Sequence, residues 1–243
     1  MTRRRWIADT WNDGTAALHG DQAQHLSRVL RAQPGMEFDV LAGGRAWLAR
    51  IASIDRDSVQ FTLLHELETA ASLHVTLLLS IFKFDRMEWA IEKAVELGAG
   101  RIIPVLAGRT EKHLAQAAAK RVERWRRLAL EAAKQSRRSD LPEIAEPARL
   151  AEILGSEAGA AAHPLRVLLS ETEEDQPLLR ILQRSATEAA GGTMLAVGPE
   201  GGWTAAEIAL FTSAGWHSAT LGPRILRVET AVIAALAIVN AAT

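Results

Sequence analysis

From His74 onward, short apolar runs alternate with stretches of helical periodicity. The predicted strands are Val75–Phe82, Arg101–Leu106, Arg166–Ser170, Met194–Val197 and Ala219–Leu221. The predicted helices are Arg86–Leu97, Ala115–Gln135, Pro177–Gln183, Ala205–Ala214 and Thr230–Asn240. Such alternation favours a mostly parallel sheet covered by helices, because a helix usually makes the crossover between two parallel strands. We therefore predict an α/β domain over residues 73–243.

The first 70 residues have a different texture and predict a small β-rich domain. The predicted strands, which alternate apolar and polar side chains, are Phe38–Leu41, Arg45–Ile51 and Ser58–Leu63. His25–Arg31 predicts one short helix, ended by Pro34-Gly35. We expect a β-barrel or sandwich over residues 1–70, joined to the α/β domain by a linker at residues 66–72.

The chain of 243 residues contains no cysteine. This excludes a disulfide framework, a thiolate nucleophile and cysteine-ligated metal sites, and it fits a reducing cytoplasm. The seven histidines show no metal-ligand spacing, so we predict no metal site. No long apolar run follows the basic first residues, and Ala231–Val239 is too short to span a bilayer. We expect a soluble, cytoplasmic protein that does not bind a membrane.

The formal net charge of −1 conceals a strong asymmetry along the chain. Residues 71–140 carry 14 basic and 8 acidic side chains, a net charge of +6. Residues 141–243 carry 6 basic and 12 acidic side chains, a net charge of −6. Phosphate binding depends on the nearby field more than on the total charge, so the overall balance excludes only a globally basic nucleic-acid binder. A solvated helix face is the alternative interpretation of the basic segment.

Candidate phosphate contacts lie at helix ends within this basic segment. Arg137 and Arg138 follow a long helix rich in basic residues, and Lys83 and Arg86 flank the start of the first helix of the α/β domain. Side chains of this kind position a nucleic-acid backbone without reading its sequence.

Gly198–Trp203, with the sequence Gly-Pro-Glu-Gly-Gly-Trp, is the first of two specific motifs. It joins an apolar strand to a helix whose first residues include Thr204 and Glu207 in the spacing of a capping box, with Trp203 and Ile208 spaced for a hydrophobic staple. Glycines at such a junction let the main chain approach a ligand, and ligands of open α/β sheets bind beyond the carboxyl ends of strands. We predict a ligand site here; the alternative is an ordinary strand–helix turn.

A second junction, Leu221–Thr230, places two arginines and a glutamate between a strand and an apolar helix. Arg227 and Glu229 are candidates for catalysis or, alternatively, form a structural ion pair. The helix at residues 231–239 lacks a polar face, so we expect its own domain or a partner subunit to bury it on all sides. Glu96–Gly100 resembles a nucleotide-binding glycine loop, but it closes a helix instead of opening one and therefore predicts a helix C-cap.

Together these junctions resemble a known family. The matching segments are Leu195–Gly202, Glu207, Leu221–Ala231, Lys83, Arg86–Glu88, Glu92–Gly98, Ile103–Pro104, Glu131–Ala132, Gln135–Ser136, Arg138, Pro142 and, near the N-terminus, His25–Arg31. They are similar to the RsmE family, the bacterial 16S ribosomal RNA (uracil-N3)-methyltransferases, over nearly the whole chain. One departure is Gly108-Arg109-Thr110, where family members usually have Glu-Arg-Ser.

The resemblance implies a PUA-like RNA-binding domain over residues 1–70 and a SPOUT methyltransferase domain over residues 73–243, the latter folded as a deep trefoil knot. It also implies a homodimer that uses S-adenosylmethionine to methylate N3 of a uridine in 16S ribosomal RNA, free or within the 30S subunit. Two alternatives stay open. One is a SPOUT methyltransferase acting on another RNA site or on a ribose oxygen, and the other is a non-catalytic, RNA-binding ribosome-assembly factor.

The resemblance further suggests roles for individual residues. Glu229 or Glu200 is the candidate base for the uracil N3 proton, and Arg227 is the candidate stabiliser of the resulting anion. The candidate cofactor-binding residues are Leu169, Ser170, Val197, Gly198, Pro199, Glu200, Gly201, Gly202, Leu221, Gly222, Ile225, Leu226 and Arg227. The candidate RNA-binding residues are Arg28, Arg31, Lys83, Arg86, Arg137 and Arg138.

Overall fold

The computed structural model describes residues 5–67, 74–136, 138, 140–157, 164–189 and 191–242. The described residues group into two compact units, one drawn from residues 1–72 and 133–141 and the other from residues 73–132 and 142–243. The predicted domain boundary, at residues 70–73, lies outside the described residues and stays a prediction.

Six strands form the sheet of the first unit: β1 (Trp6–Ile7), β2 (Thr10–Asn12), β3 (Thr15–His19), β4 (Glu37–Ala42), β5 (Arg45–Ile54) and β6 (Ser58–Glu66). Their order is β1-β4-β5-β6-β3-β2, and all neighbours are antiparallel except the parallel pair β1 and β4. Alternation along the strands builds the core, since in β5 Ala49 and Ile51 are buried while Arg50 between them is exposed. Leu18 and Phe61 belong to the same apolar cluster.

The helical segment of the first unit differs from the prediction of one helix at His25–Arg31. Helix α1 (Gly20–Gln24) passes directly into a π-helical turn at His25–Val29. Arg31 then adopts a left-handed backbone with φ of 51°, the one such non-glycine residue in the described part of the chain. Because an L-residue in this conformation cannot continue a right-handed helix, the segment ends before Arg31.

The second unit contains a sheet of seven strands: β7 (Val75–Ser80), β8 (Ala99–Leu106), β9 (Glu143–Ile144), β10 (Ala148–Arg149), β11 (Leu165–Leu169), β12 (Thr193–Val197) and β13 (His217–Ala219). The order is β10-β8-β7-β12-β11-β13, with β9 also beside β8, and every pair is parallel. The central strands are mostly apolar, as expected for a parallel sheet with both faces covered. The prediction of an α/β domain with a mostly parallel sheet is confirmed.

The helices of the second unit follow the predicted pattern with shifted ends. They are α2 (Phe84–Glu96), α3 (Lys112–Ala117), α4 (Val122–Ser136), α5 (Leu150–Glu157), α6 (Leu178–Arg184), α7 (Ala186–Ala189), α8 (Ala205–Ser213) and α9 (Val228–Ala242). The last residues of α4 group with the first unit. A 3-10 turn at Ala118–Arg121 divides the single helix predicted at Ala115–Gln135. No helix within the described ranges is long and apolar enough to cross a membrane.

The described residues cover helix α9 on one face only. Val232, Ala235, Leu236 and Val239 are buried, whereas Ile233 and other apolar residues between them are partly exposed. The helix contacts α2 and α6 of its own unit. The expected burial on all sides is therefore not provided by this domain alone.

Candidate active site

Three loops meet at the carboxyl edge of the parallel sheet of the second unit. Strand β11 lies between β12 and β13, so the loops that follow these three strands are neighbours. They enclose a cavity of about 670 Å³. Pockets of about 300–1,000 Å³ hold small molecules, and the carboxyl edge is where open α/β sheets bind ligands. The arrangement therefore provides a ligand site of cofactor size.

The glycine-rich loop after β12 forms one wall of this cavity. The Gly202 amide donates to the Pro199 carbonyl at 2.8 Å and closes a tight turn. Gly202 has a φ of +69°, and a Cβ at this position would lie 2.6 Å from Oε1 of Glu171. The left-handed backbone therefore favours glycine at position 202, and a side chain there would displace the flexible end of Glu171. At the start of the loop, the indole of Trp203 packs so closely on Gly198 that a Cβ there would lie 3.2 Å from its Nε1.

The loop is fixed at its far end by the start of helix α8. Thr204 Oγ1 accepts from the Glu207 amide at 3.2 Å, and Glu207 Oε2 accepts from the Thr204 amide at 2.8 Å, which confirms the predicted capping box. Glu207 Oε1 also accepts from the Gly108 amide at 2.7 Å. Trp203 contacts Phe211 edge to face, with ring centroids 4.9 Å apart. The cap therefore holds both the helix and the loop that precedes it.

We expect Thr204→Ala to lower the free energy of unfolding by about 1 kcal/mol, because it removes the side-chain half of the capping box. Thr212→Ala on the same helix is the matched control, since Thr212 Oγ1 bonds back to the Ile208 carbonyl in an exposed position and caps nothing. The urea concentration at the midpoint of unfolding measures the stability of both variants. Equal midpoints for the two variants would contradict the assigned role of Thr204.

A charged cluster adjoins the cavity at the start of helix α9. Glu229 is 8% exposed, and its Oε2 has no hydrogen-bond partner in the described part of the chain. Its Oε1 lies 3.9 Å from Arg86 Nη1, and the same nitrogen lies 3.4 Å from Oε1 of Glu200. Lys83 Nζ is 3.9 Å from Oε2 of Glu200. The structure thus brings Lys83 and Arg86, two predicted RNA-binding cations, close to the two predicted bases. One of these bases, Glu229, directly follows Val228 of the cavity wall.

Two family models match the chain. Residues 69–240 match the RNA methyltransferase domain, and residues 18–64 match the RNA methyltransferase PUA domain. The chain is 36% identical over 230 residues to ribosomal RNA small subunit methyltransferase E of Synechocystis sp., covering 94% of this chain and 74% of that protein. The chain belongs to the ribosomal RNA small subunit methyltransferase E family.

Other members of the methyltransferase E family are similar over their whole length. The protein of this name from Mycobacterium tuberculosis is 33% identical over 252 residues, covering 100% of this chain and 93% of the relative. The crystal structure of the family member from Neisseria gonorrhoeae bound to S-adenosyl methionine has a TM-score of 0.80 at 31% identity, over 97% of this chain and 96% of that chain. The family recognised from the sequence motifs is confirmed, as is a PUA-like sheet followed by a parallel α/β methyltransferase domain. The knotted threading of the chain stays a prediction.

Most of the residues predicted to bind cofactor in this methyltransferase E family member line the cavity. They are Leu169, Ser170, Val197, Gly198, Gly202, Leu221, Gly222, Ile225 and Leu226. Pro199, Glu200, Gly201 and Arg227 are not among the lining residues; Pro199 is buried and the other three are exposed. The alternative ion pair between Arg227 and Glu229 is replaced by the pair between Arg86 and Glu229.

The loop after β11 contributes more to the cavity than the sequence indicated. Beyond Ser170, its lining residues are Glu171, Thr172, Glu173, Glu174 and Pro177. Two features of the sequence indicate this loop. It is polar and directly follows a buried strand, and the strands on either side of that strand both lead into predicted site loops. Additional lining residues from the other loops are Trp203, Ile208, Ala219, Thr220, Pro223, Arg224, Val228 and Ala231.

Much of the positive charge of residues 71–140 is paired within the second unit. Arg124 donates to both carboxylate oxygens of Glu88, at 2.7 and 2.8 Å, and this hydrogen bonding raises the pKa of the Arg124 guanidinium above its ordinary value. Arg126 pairs with Glu123 and with Glu146. These pairs weaken the field that the helix presents to a phosphate.

The predicted RNA-binding residues are found in different environments. Arg28 and Arg31 are exposed in the first unit, at the end of its helical segment. Arg138 forms an ion pair with Asp140 and its side chain is only 8% exposed, which does not favour phosphate contact. Arg137 lies outside the described residues. Within the described ranges, no group of three His, Asp or Glu side chains could hold a metal ion.

Proposed function

We propose that this methyltransferase E family member transfers a methyl group from S-adenosylmethionine to N3 of a uridine in small-subunit ribosomal RNA. The carrying observation is the buried Glu229 carboxylate, whose Oε2 has no hydrogen-bond partner among the described residues and whose chain neighbour Val228 lines the cavity. A buried carboxylate oxygen without a hydrogen-bond partner is costly, which supports a role for this oxygen in contact with a ligand. A proton acceptor beside a cofactor-sized cavity is what methylation of a weakly acidic N–H requires.

The cavity fits S-adenosylmethionine in size and wall chemistry. Its volume of about 670 Å³ is within the range of small-molecule sites, and its walls combine glycine main chain with apolar and acidic side chains. Gly198, Gly202, Leu221 and Leu226 line the cavity and would hold the cofactor there. When bound, S-adenosylmethionine supplies the methyl group from its sulfonium centre. The N. gonorrhoeae relative is bound to this molecule.

Glu229 is better placed than Glu200 to accept the N3 proton. Glu200 is held by Lys83 and Arg86 and is exposed, whereas Glu229 is buried and keeps one oxygen unpaired among the described residues. Arg86 fixes the carboxylate of Glu229 from the opposite oxygen. Arg227, exposed two residues before Glu229, is left to stabilise the negative charge on a uracil oxygen. The uracil must be unpaired or extruded from its stack to reach this position.

RNA contact and dimer formation complete the proposal. The side chain of Lys83, a member of the charged cluster, is 55% exposed, and Arg28 and Arg31 are exposed in the PUA-like unit. These cations are the proposed contacts with RNA phosphates. A second copy of the chain would cover the apolar residues of α9, such as Ile233, that its own domain leaves partly exposed. We also propose that the protein is cytoplasmic, since its proposed substrate is ribosomal RNA.

Transfer of tritium from methyl-labelled cofactor to small-subunit RNA that lacks the modification tests this proposal. Naked 16S RNA and assembled 30S particles are assayed in parallel, because the enzyme acts on at least one of them. Uptake into either substrate supports the proposal. Cofactor binding without uptake into either would favour the alternative of a non-catalytic assembly factor and contradict the proposed function.

A further inference from the structure

The tripeptide Gly108-Arg109-Thr110 is attached to three other elements of the second unit. Arg109 Nη1 donates to the Gly201 carbonyl at 2.6 Å. The Gly108 amide donates to Glu207 Oε1 at 2.7 Å, and Thr110 Oγ1 donates to the Ile81 carbonyl at 3.2 Å. The segment therefore joins the end of β7, the glycine-rich loop and helix α8. Arg109 does not line the cavity, and the proposed chemistry does not use it.

The bond from Arg109 acts on one particular peptide group. The Gly201 carbonyl and the Gly202 amide belong to the same planar peptide group. Arg109 binds the oxygen of this peptide group, and the Pro199 carbonyl accepts a hydrogen bond from its N–H. Glycine stands on both sides of this unit, so rotation of the peptide meets little steric resistance. The two hydrogen bonds therefore select its orientation.

A reversed peptide would lose both bonds and create two repulsions. Its oxygen would face the Pro199 carbonyl, and its N–H would face the guanidinium of Arg109. Glu171 Oε1 occupies the space next to Gly202 that a Cβ would need, and Arg109 Nη1 lies 3.9 Å from the same point. The loop therefore meets a cation that binds its main chain and a carboxylate close to that cation.

We propose that Arg109 is a positioning residue that locks the 201–202 peptide in the orientation required for cofactor binding. This inference rests on the proposed use of the cavity for S-adenosylmethionine. Gly202 is part of the cavity wall, so the orientation of its amide decides which polar atoms the wall presents. Arg109 acts through the loop and does not touch the reacting atoms.

Calorimetric titration of S-adenosylmethionine into the full-length Arg109→Ala protein tests the inference. We expect the Kd to rise at least about tenfold, which corresponds to loss of one charge-assisted hydrogen bond that organises the site. In methyl transfer, KM for the cofactor rises by a similar factor, while kcat at saturating cofactor changes much less. Guanidinium ion added at non-denaturing concentration restores part of the affinity, and Arg109→Lys falls between the wild type and Arg109→Ala.

Arg126→Ala is the matched control, because Arg126 also donates to a main-chain carbonyl, that of Ile144 at 3.2 Å, away from the cavity. We expect Arg126→Ala to lose a similar free energy of unfolding and to keep the wild-type Kd for S-adenosylmethionine. If Arg109→Ala does not fold, Arg109→Lys with added guanidinium decides the question by the same readout. A wild-type Kd in the Arg109 variant overturns the inference and leaves the proposed function intact. A wild-type protein that ignores S-adenosylmethionine overturns the proposed function and the inference with it.

Discussion

Glu229→Gln is expected to reduce the rate of methyl transfer by about 10²- to 10⁴-fold, the usual contribution of a general base. Glutamine preserves the size of the side chain but cannot take the N3 proton of uracil. Arg86 keeps its ion pair with Glu200 when the charge of Glu229 is removed, so we expect little change in stability. Single-turnover rates at saturating cofactor measure the loss, and thermal unfolding measures the stability.

Glu96→Gln is the control for the Glu229 variant. Glu96 forms an ion pair with Lys93 at 2.7 Å on helix α2, so the control removes a paired carboxylate from the same domain. It should leave turnover unchanged. If Glu229→Gln turns over at the wild-type rate, Glu229 is not the base, and Glu200 becomes the remaining carboxylate of the cluster to test.

Gly202→Ala is expected to weaken cofactor binding by more than about tenfold. The new Cβ would lie 2.6 Å from Glu171 Oε1, and an L-residue at a φ of +69° costs about 1–2 kcal/mol of backbone strain. The strain favours displacement of the loop, and the end of Glu171, which also lines the cavity, must rotate away. Calorimetric titration with S-adenosylmethionine measures the change in Kd.

Gly215→Ala is the control that separates the contact with Glu171 from the backbone strain. Gly215 has a φ of +76° in the same unit, and a Cβ there would meet open space. This control should lose stability and keep the wild-type affinity. Adding Glu171→Ala to Gly202→Ala should recover part of the affinity by removing the collision. Equal Kd values for Gly202→Ala and the wild type would contradict the assigned geometry of the loop.

The two glycine-rich junctions were predictable because their information is local. Gly198–Trp203 and Leu221–Thr230 each join a strand to a helix, and parallel strands bring such junctions to one edge of a sheet. The capping box of Thr204 and Glu207 follows from a spacing of three residues. Sequence alone therefore identified the edge of the sheet that carries the cavity and part of the cavity wall.

The charged cluster was not predictable in the same way because its contacts are non-local. Arg86 meets Glu200 and Glu229, which are more than 100 positions away in the chain. Nothing in the local sequence distinguishes a partner at that distance from the nearby Arg227. The net positive charge of residues 71–140 likewise does not reveal that Arg124 is already paired with Glu88. Which charges are available to a ligand depends on tertiary pairing.

Nucleoside analysis of the methylated RNA tests the central claim most directly. Small-subunit RNA lacking the modification is incubated with the wild-type protein and labelled cofactor, digested to nucleosides and separated. The account predicts that the label co-elutes with 3-methyluridine, because the Glu229 carboxylate serves deprotonation of the uracil N3 atom. Label found in a 2′-O-methylated nucleoside, or in any methylated base other than 3-methyluridine, would contradict it.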